Sequence, residues 1–495
     1  MTLTPLITAA EVFPELERLV ASAEKEVFLS FRIFDPETKL RDPELRERGL
    51  DTWLDLLSWV ARRGVTIRLL ITDFDPLFAS SLHRLSWRSA SQVADRVEGD
   101  VHVICAPHGQ RLGWLWMVPL WMKVREKLNK LRSDDPQRLT PPQRRTLETR
   151  PVLRPVSIHQ KCAVIDNARC LIGGLDLNER RWDDPDHTGD AEETWHDVSA
   201  RVDGPFAETL RPHLVDTWNA AVESGASALA GQAQKLDAGP RSQGTSDLRL
   251  LRTMSAPSTG PAAFGPKPRY TENEDVMIRL IGEAEDHIYI ESQFLRHRPI
   301  VTALTEAAER AEDLQLILIL PPEPERILFG KDDGWDARHA HALQVQAIDA
   351  LQDAYGSRVA VISPGQKERA DPDFDGDLHG AGPIYVHAKV MLIDDRVGVI
   401  GSANLNGRSL RWDTEASVLF RDADTVRALR ERLATTWLGP FGADRDVTRA
   451  ETWRDAAAAN KDAPPEERES FVIAYPLERA RAFSRYLPIL PANMF

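Results

Sequence analysis

The sequence repeats itself, because three β-rich runs in its first half have counterparts in the same order in its second half. The pairs are AEKEVFLSFRIFDP (23–36) with AEDHIYIESQFLRHRP (284–299), GVTIRLLITD (64–73) with DLQLILIL (313–320), and GDVHVICAPHG (99–109) with SRVAVISPG (357–365). Amphipathic helical patterns such as LDTWLDLLSWVARRG and PIVTALTEAAERAED lie between the runs. Near-continuous apolar strands that alternate with helices indicate an α/β fold. We therefore predict one α/β/α sandwich with a mixed sheet in each half.

The length of the chain also favours two lobes, since a single hydrophobic core seldom grows beyond ~250 residues and the chain has 495. We assign residues 1–224 to an N-terminal lobe and 270–440 to a C-terminal lobe. The segment 225–269 is rich in Gly, Ala, Ser and Pro and is interpreted as a linker. Residues 441–495 are interpreted as a C-terminal appendage.

Each half contains a histidine and a lysine two residues apart on a predicted strand. The two segments are IHQKCAVIDNARCLIGGLDLNERRWDD (158–184) and VHAKVMLIDDRVGVIGSANLNGRS (386–409), in which His159, Lys161 and Asp166 repeat as His387, Lys389 and Asp394. Side chains at i and i+2 of a strand share a face, so each histidine should lie beside its lysine. The aspartate has the opposite parity and falls at the strand end. Although it belongs to the motif, we expect it to anchor the turn.

Imidazole next to ammonium favours an anionic ligand. A lysine would repel a metal cation, so we expect neither a metal nor another cofactor. A phosphodiester fits better, because negative charge accumulates on its oxygens during displacement, where a preorganised donor is worth about 3 kcal/mol. One histidine can attack phosphorus, and the other can protonate the leaving alkoxide and later deprotonate water or an alcohol.

The paired HxKxxxxD segments, with GGLDL and GSANLN after them, resemble the phospholipase D superfamily over about residues 5–440. This resemblance implies two similar α/β/α lobes related by a pseudo-twofold axis, with one active site between them and no metal requirement. It also implies residue roles. His159 and His387 correspond to the nucleophile and the acid/base. The family favours His159 as the nucleophile, but the sequence leaves open which histidine has which role. The phosphate-binding residues correspond to Lys161, Lys389 and Asn404, with Ser402 beside Asn404. Asp176, in GGLDL, stands where a phosphate donor is expected, and its role is open.

Two further carboxylates match positions at which the family orients the histidine rings. They are Asp197, in TWHDV, and Glu415, in DTEAS. A carboxylate that accepts Nδ1–H selects the tautomer and stabilises the imidazolium. Either residue alone could equally be a solvated surface acid, and their occurrence after both motifs favours the catalytic interpretation.

The net charge of −14 disfavours nucleic acid as a partner, because phosphate-backbone binding needs a broad cationic surface. The pattern GGLDL, RWDD and WHDV resembles the eukaryotic-like branch of the superfamily. We therefore expect a glycerophospholipid substrate, cleaved through a phosphohistidine to phosphatidic acid and the head-group alcohol. The alternatives are cardiolipin or another phospholipid synthesis by phosphatidyl transfer, a nuclease, and a non-catalytic lipid-binding protein.

An insertion at about 110–140 lengthens the first lobe before its motif. It contains LGWLWMVPLWMKVREKLNKLR (112–132), in which an aromatic and apolar run precedes a series of cations. Such a segment suits a membrane interface, and Trp114, Trp116 and Trp121 are the interface candidates. A helical hairpin packed over the lobe interface is the alternative.

Three features of the sequence favour synthesis in the cytoplasm. The chain has three cysteines, Cys105, Cys162 and Cys170, without metal or disulfide spacing. Its first residues show no basic leader before an apolar run. No stretch approaches the ~18 apolar residues of a membrane span. We expect a cytoplasmic protein that binds the membrane surface peripherally.

Overall fold

Two large mixed β-sheets form the framework of the computed structural model, which describes residues 2–239, 247–488 and 492–495. The elements of the first half are β1 (Thr2–Ile7), α1 (Thr8–Ala21), β2 (Glu26–Phe31), α2 (Pro43–Glu47), α3 (Trp53–Arg62), β3 (Thr66–Thr72), α4 (Ser80–Arg96), β4 (Val101–Ala106), α5 (Met117–Arg132), α6 (Pro141–Glu148), β5 (Lys161–Ile165), β6 (Arg169–Gly173), β7 (Trp195–His196), β8 (Val198–Asp203), α7 (Phe206–Glu223) and β9 (Ser227–Ala230). Its described strands run in the order β1-β8-β6-β5-β2-β3-β4-β9.

The second half builds the other sheet. Its elements are β10 (Leu248–Ala256), β11 (Lys267–Thr271), α8 (Glu272–Gly282), β12 (His287–Ser292), α9 (Arg298–Arg310), β13 (Gln315–Ile319), α10 (Glu325–Leu328), α11 (Trp335–Tyr355), β14 (Val359–Arg369), β15 (Ala381–Pro383), β16 (Tyr385–Val386), β17 (Lys389–Ile393), β18 (Val397–Gly401), β19 (Glu415–Phe420), α12 (Ala423–Leu438), α13 (Ala450–Lys461), β20 (Val472–Ala474) and α14 (Leu477–Phe483). The described strands are ordered β11-β10-β19-β18-β17-β12-β13-β14-β15, and β20 also pairs with β14.

The two sheets share one topology. The order β8-β6-β5-β2-β3-β4 of the first sheet recurs as β19-β18-β17-β12-β13-β14 in the second. The three pairs of runs that repeat in the sequence are β2 and β12, β3 and β13, and β4 and β14, which form the parallel centre of each sheet. The predicted α/β class with two similar mixed sheets is confirmed.

The hydrophobic cores explain how the halves are held together. Helices α1, α3 and α4 cover the outer face of the first sheet, and α8, α9 and α11 cover that of the second. The largest cluster includes inner-face residues of both sheets together with α7, α12 and α13, for example Phe28, Leu392 and the fully buried Trp218, Trp437 and Trp453. Burying one large apolar side chain contributes about 1.5–3 kcal/mol. The halves are therefore joined by a common core.

Two segments take part in the fold more fully than their composition predicted. Within 225–269, interpreted as a linker, β9 pairs with β4 and β10 pairs with β19. Within 441–495, interpreted as an appendage, β20 pairs with β14 and α13 buries Trp453. Small residues such as those of β9 have little strand propensity of their own, so the exposed edge of an existing sheet decides their conformation.

Candidate active site

The two histidines lie where the backbones of the two halves pair. Ile158 bridges Thr414, and the N–H of His159 donates to the Thr414 carbonyl at 2.9 Å. On the other side, β16 runs parallel to β7, and the N–H of His387 donates to the His196 carbonyl at 2.8 Å. Each histidine is thus attached through its own backbone to the segment of the other half that carries an acidic residue.

This pairing crosses the histidines with their carboxylates. Nδ1 of His159 lies 3.0 Å from Oε2 of Glu415, and Nδ1 of His387 lies 2.6 Å from Oδ2 of Asp197. Both carboxylates are fully buried. Because a carboxylate occupies Nδ1, Nε2 is the ring nitrogen available for chemistry.

The two lysines lie next to the histidines, as the strand parity predicts. Nζ of Lys161 is 3.3 Å from both ring nitrogens of His159 and donates to the His159 carbonyl at 2.6 Å. Nζ of Lys389 is 2.9 Å from Nδ1 of His387 and donates to the His387 carbonyl. Both side chains are buried. The result is a pair of ammonium groups held at fixed positions beside two imidazoles.

Burial and mutual repulsion disfavour positive charge on the two histidines and the two lysines. Burial, followed by the charge of Lys161, holds the pKa of His159 well below its ordinary value, and burial followed by Lys389 does the same for His387. Burial also lowers the pKa of Lys161, and it lowers that of Lys389 to about 7. An anion bound among these groups would raise all four pKa values, since it stabilises their charged forms.

The pKa values of the two orienting carboxylates are shifted upward, because burial disfavours their charged form as well. Burial raises the pKa of Asp197 to about 6, although Lys389 opposes the shift. Burial raises the pKa of Glu415 to about 8, opposed by Lys161. The Ser402 hydroxyl donates to Oε2 of Glu415 at 2.5 Å, which orients this carboxylate toward His159.

A cavity of about 370 Å³ contains both histidines in its lining. Asn404 also lines it, with its Oδ1 buried and without a hydrogen-bond partner among the described residues. Five arginines complete its polar wall: Arg32, Arg181, Arg296, Arg326 and Arg408. We did not select them from the sequence, although Arg32 and Arg296 lie within the first repeated run of each half.

Several residues assigned to the site have other contacts. Ser402, expected near phosphate, instead donates to Glu415. Oδ1 of Asp176 accepts the N–H of Ile33 at 2.9 Å, whereas its Oδ2 is buried without a partner in the described chain. Asp176 therefore orders the loop after β2 with one oxygen and leaves the other available.

The two motif aspartates are turn anchors, as the strand parity predicts. Asp166 accepts the backbone N–H groups of residues 24, 25 and 26, and Asp394 accepts those of residues 285, 286 and 287. Both have a left-handed backbone, with φ of 53° and 50°. Their carboxylates thus join each motif hairpin to the start of β2 or β12. Burial alone would raise the pKa of both aspartates, but the hydrogen bonds from these N–H groups keep it below the ordinary value.

The inserted aromatic segment has an exposed and an anchored part. Trp114 and Trp121 are 53% and 52% exposed. Trp116 differs from them, because its indole N–H donates to the Ala262 carbonyl at 3.0 Å and its ring lies 4.6 Å from that of Phe264. Trp116 therefore fastens the segment to the chain before β11 and is removed from the interface candidates.

Clusters of metal ligands and membrane-spanning helices are both absent among the described residues. No three His, Cys, Asp or Glu side chains among them are grouped so as to hold a metal ion. None of the described helices combines the length and the apolar character that crossing a bilayer requires.

Comparison with known proteins connects this geometry to a family. A family model described as "Cardiolipin synthase, PLD-like domain" matches residues 277–437. Phospholipase D1 of Saccharomyces cerevisiae is 24% identical over an alignment 353 residues long that covers 54% of this chain and 20% of that protein. Phospholipase D A of Dictyostelium discoideum is 25% identical over 489 residues, covering 84% of this chain and 33% of that protein. The chain thus spans a third or less of these two relatives.

Among solved structures, phosphatidylserine synthase of Haemophilus influenzae is similar with a TM-score of 0.53. The similarity covers 88% of this chain and 85% of that one at 13% sequence identity. At this identity the likeness concerns the fold.

Proposed function

Because the chain belongs to the phospholipase D superfamily, we propose that it cleaves the head-group phosphodiester bond of a glycerophospholipid through a covalent phosphohistidine. The products are phosphatidic acid and the free head-group alcohol. Transfer of the phosphatidyl group to an alcohol is the same chemistry with a different acceptor, and it is the second activity that the proposal includes.

The observation that carries this proposal is the crossed arrangement around one cavity. The two histidines line it, each has a buried lysine beside it, and each has its Nδ1 on a carboxylate of the other half. A binding module needs neither a second imidazole nor two orienting carboxylates. Such a set suits a reaction in which one ring attacks and the other moves a proton.

The proposed reaction has two steps. Nε2 of His159 attacks phosphorus, a P–N bond forms, and the P–O bond to the head group breaks as His387 gives its proton to the leaving alkoxide. Water then attacks phosphorus, passes a proton to His387, and breaks the P–N bond. Lys161, Lys389 and the amide of Asn404 bind the phosphate oxygens, where negative charge increases in both transition states.

We expect the purified protein to convert dioleoyl phospholipids in nonionic mixed micelles to phosphatidic acid, detected by mass spectrometry. Added ethanol or glycerol should divert part of the product to a new phosphodiester, because an alcohol can replace water in the second step. A single-stranded oligonucleotide serves as the competing substrate. Cleavage of the oligonucleotide with no turnover of any lipid would overturn the proposal in favour of a nuclease.

We further propose that the protein lies peripherally on the cytoplasmic membrane surface, and an exposed apolar face supports this proposal and a lipid substrate. The exposed apolar face consists of Trp114, Leu115, Val118, Trp121 and Met122. The opposite side of α5 packs through Val124 and Leu128 into a small core, and α5 ends in cations. Lys123 lies over Trp335, next to Asp336 of the cavity wall. The face thus extends toward the cavity entrance.

Replacing Trp114 and Trp121 together by Ala should reduce binding to anionic liposomes by roughly tenfold or more, since burial of a large apolar side chain is worth about 1.5–3 kcal/mol. Cosedimentation measures this binding. Hydrolysis of a soluble phosphodiester should remain, because neither ring reaches the histidines. The control is Trp59→Ala, which removes a tryptophan stacked on Arg63 of the outer helix layer. Equal sedimentation of both variants would remove the membrane assignment.

A further inference from the structure

Arg296 is a buried cation without a partner in the cavity wall. It is 8% exposed, and among the described residues its Nε and Nη2 are buried with no hydrogen-bond partner. The guanidinium lies 4.1 Å from the ring centroid of Phe294, which also lines the cavity. Leaving a buried charged donor unsatisfied is costly, so its position indicates a ligand.

Among the other cavity arginines, Arg326 and Arg408 are neutralised. Arg32 and Arg181, like Arg296, have buried N–H groups without a hydrogen-bond partner among the described residues. Arg326 pairs with Asp336 at 2.8 Å, and Arg408 pairs with Asp413 at 3.1 Å. The third carboxylate of the wall, Glu325, pairs with Arg180 at 2.8 Å. Burial, followed by the charge of Arg326, lowers the pKa of Arg296 to about 9. An anion beside Arg296 would relieve both effects.

The internal repeat shows that Arg296 breaks the symmetry of the site. The N–H groups of Glu26 and His287 bond to the turn aspartates in the same way, and this alignment places Asp35 opposite Arg296. Asp35 donates its backbone N–H to Leu177, and Arg296 donates to Leu405. The central groups are duplicated because both halves act on one phosphorus. A residue that differs in charge between the halves faces a part of the substrate that is not symmetric.

We propose that Arg296, held by Phe294 and next to Arg326, forms a second anion subsite that binds an acidic group on the head group of the lipid. The inference rests on the proposed function and specifies its substrate class. The favoured lipids carry a phosphate monoester or a carboxylate beyond the scissile phosphate. A choline head group, which is cationic, would be disfavoured by repulsion from the same arginine.

The test compares dioleoyl lipids that differ in one head-group feature, at low mole fraction in nonionic micelles. Phosphatidylglycerol phosphate and phosphatidylglycerol differ by one phosphate, N-succinyl phosphatidylethanolamine supplies a carboxylate, and phosphatidylcholine supplies a cation. We expect kcat/KM to be at least about tenfold higher for the acidic lipids, because one additional hydrogen bond to a charged group stabilises the bound lipid by about that factor. Arg296→Gln should remove most of that ratio, and Arg296→Lys should retain part of it.

A matched control and a binding measurement separate this inference from the proposed function. Arg298→Gln removes an exposed arginine two residues away and should leave the ratio unchanged. Titration calorimetry with glycerol 1,3-bisphosphate and glycerol 3-phosphate should show a preference for the bisphosphate that Arg296→Gln abolishes, whether or not lipids turn over. Absence of all lipid turnover overturns the proposed function. The subsite is overturned if Arg296→Gln lowers kcat/KM equally for every head group, or if the unaltered protein shows no preference for the bisphosphate.

Discussion

His159→Gln and His387→Gln should each reduce steady-state phospholipid hydrolysis severely, but at different steps. Loss of the nucleophile, assigned to His159, should lower kcat by about 10⁴-fold or more. Loss of the acid/base, assigned to His387, should lower it by about 10²- to 10⁴-fold. Both rings line the cavity, and no other described histidine does.

An activated substrate distinguishes the two roles. With a p-nitrophenyl phosphodiester the leaving group needs no proton, so His387→Gln should release one equivalent of nitrophenol and accumulate an acid-labile phosphohistidine. His159→Gln should give no burst. A burst from His159→Gln alone would reverse the assignment of the two roles.

The control for both variants is His102→Gln, which alters a histidine paired with Asp100 on the first sheet. Its turnover should match that of the unaltered protein. If both cavity variants also kept turnover within tenfold of the unaltered protein, covalent catalysis by these histidines would be excluded.

Asp197→Asn should lower kcat/KM by about 10²- to 10⁴-fold, because an amide can neither fix the His387 tautomer nor stabilise its imidazolium. The variant retains the shape of the side chain, which lies 2.6 Å from Nδ1 of His387. Circular dichroism and the melting temperature check that the fold is kept. Asp203→Asn, at the end of strand β8, which begins directly after Asp197, is the matched control. Its kcat/KM should stay within about twofold to threefold of that of the unaltered protein.

The pH profile supplies a second measurement of the same contact. Burial raises the pKa of Asp197 to about 6, so its carboxylate is lost below that pH and kcat/KM should fall. Burial lowers the pKa of Lys389 to about 7, so its positive charge is lost above that pH and kcat/KM should fall again. A bell-shaped profile results. Asp197→Asn should remove its own share of the acid limb and leave the share of Glu415, whose pKa burial also raises. An unchanged acid limb would contradict the assignment.

Local patterns in the sequence determined the strands and the motif hairpins. The central runs of both sheets are recognisable because continuous apolar strands need no distant information to be identified. The turn role of Asp166 and Asp394 is also predictable from the sequence, because each aspartate is an odd number of residues from its histidine and lysine and therefore points to the opposite face of the strand. Backbone N–H groups of the preceding strand complete each anchor.

Only the tertiary structure decided which carboxylate serves which histidine. Glu415 is 256 residues from His159, and Asp197 is 190 residues from His387. No periodicity connects positions so far apart, and the backbone pairing between the halves crosses them. The same holds for Trp116, whose indole N–H is bonded to a distant carbonyl.

The strands at the sheet edges and the buried charge of Arg296 also depended on tertiary context. The composition of β9 and the residues around it is typical of a linker. Part of this segment is nevertheless a strand, because it pairs with the edge of β4. Arg296 is an ordinary arginine in the sequence, and burial without a partner gives it significance. Sequence determines local conformation and the residue types of the site, whereas contacts between distant segments determine their partners, because burial and pairing exist only in the folded chain.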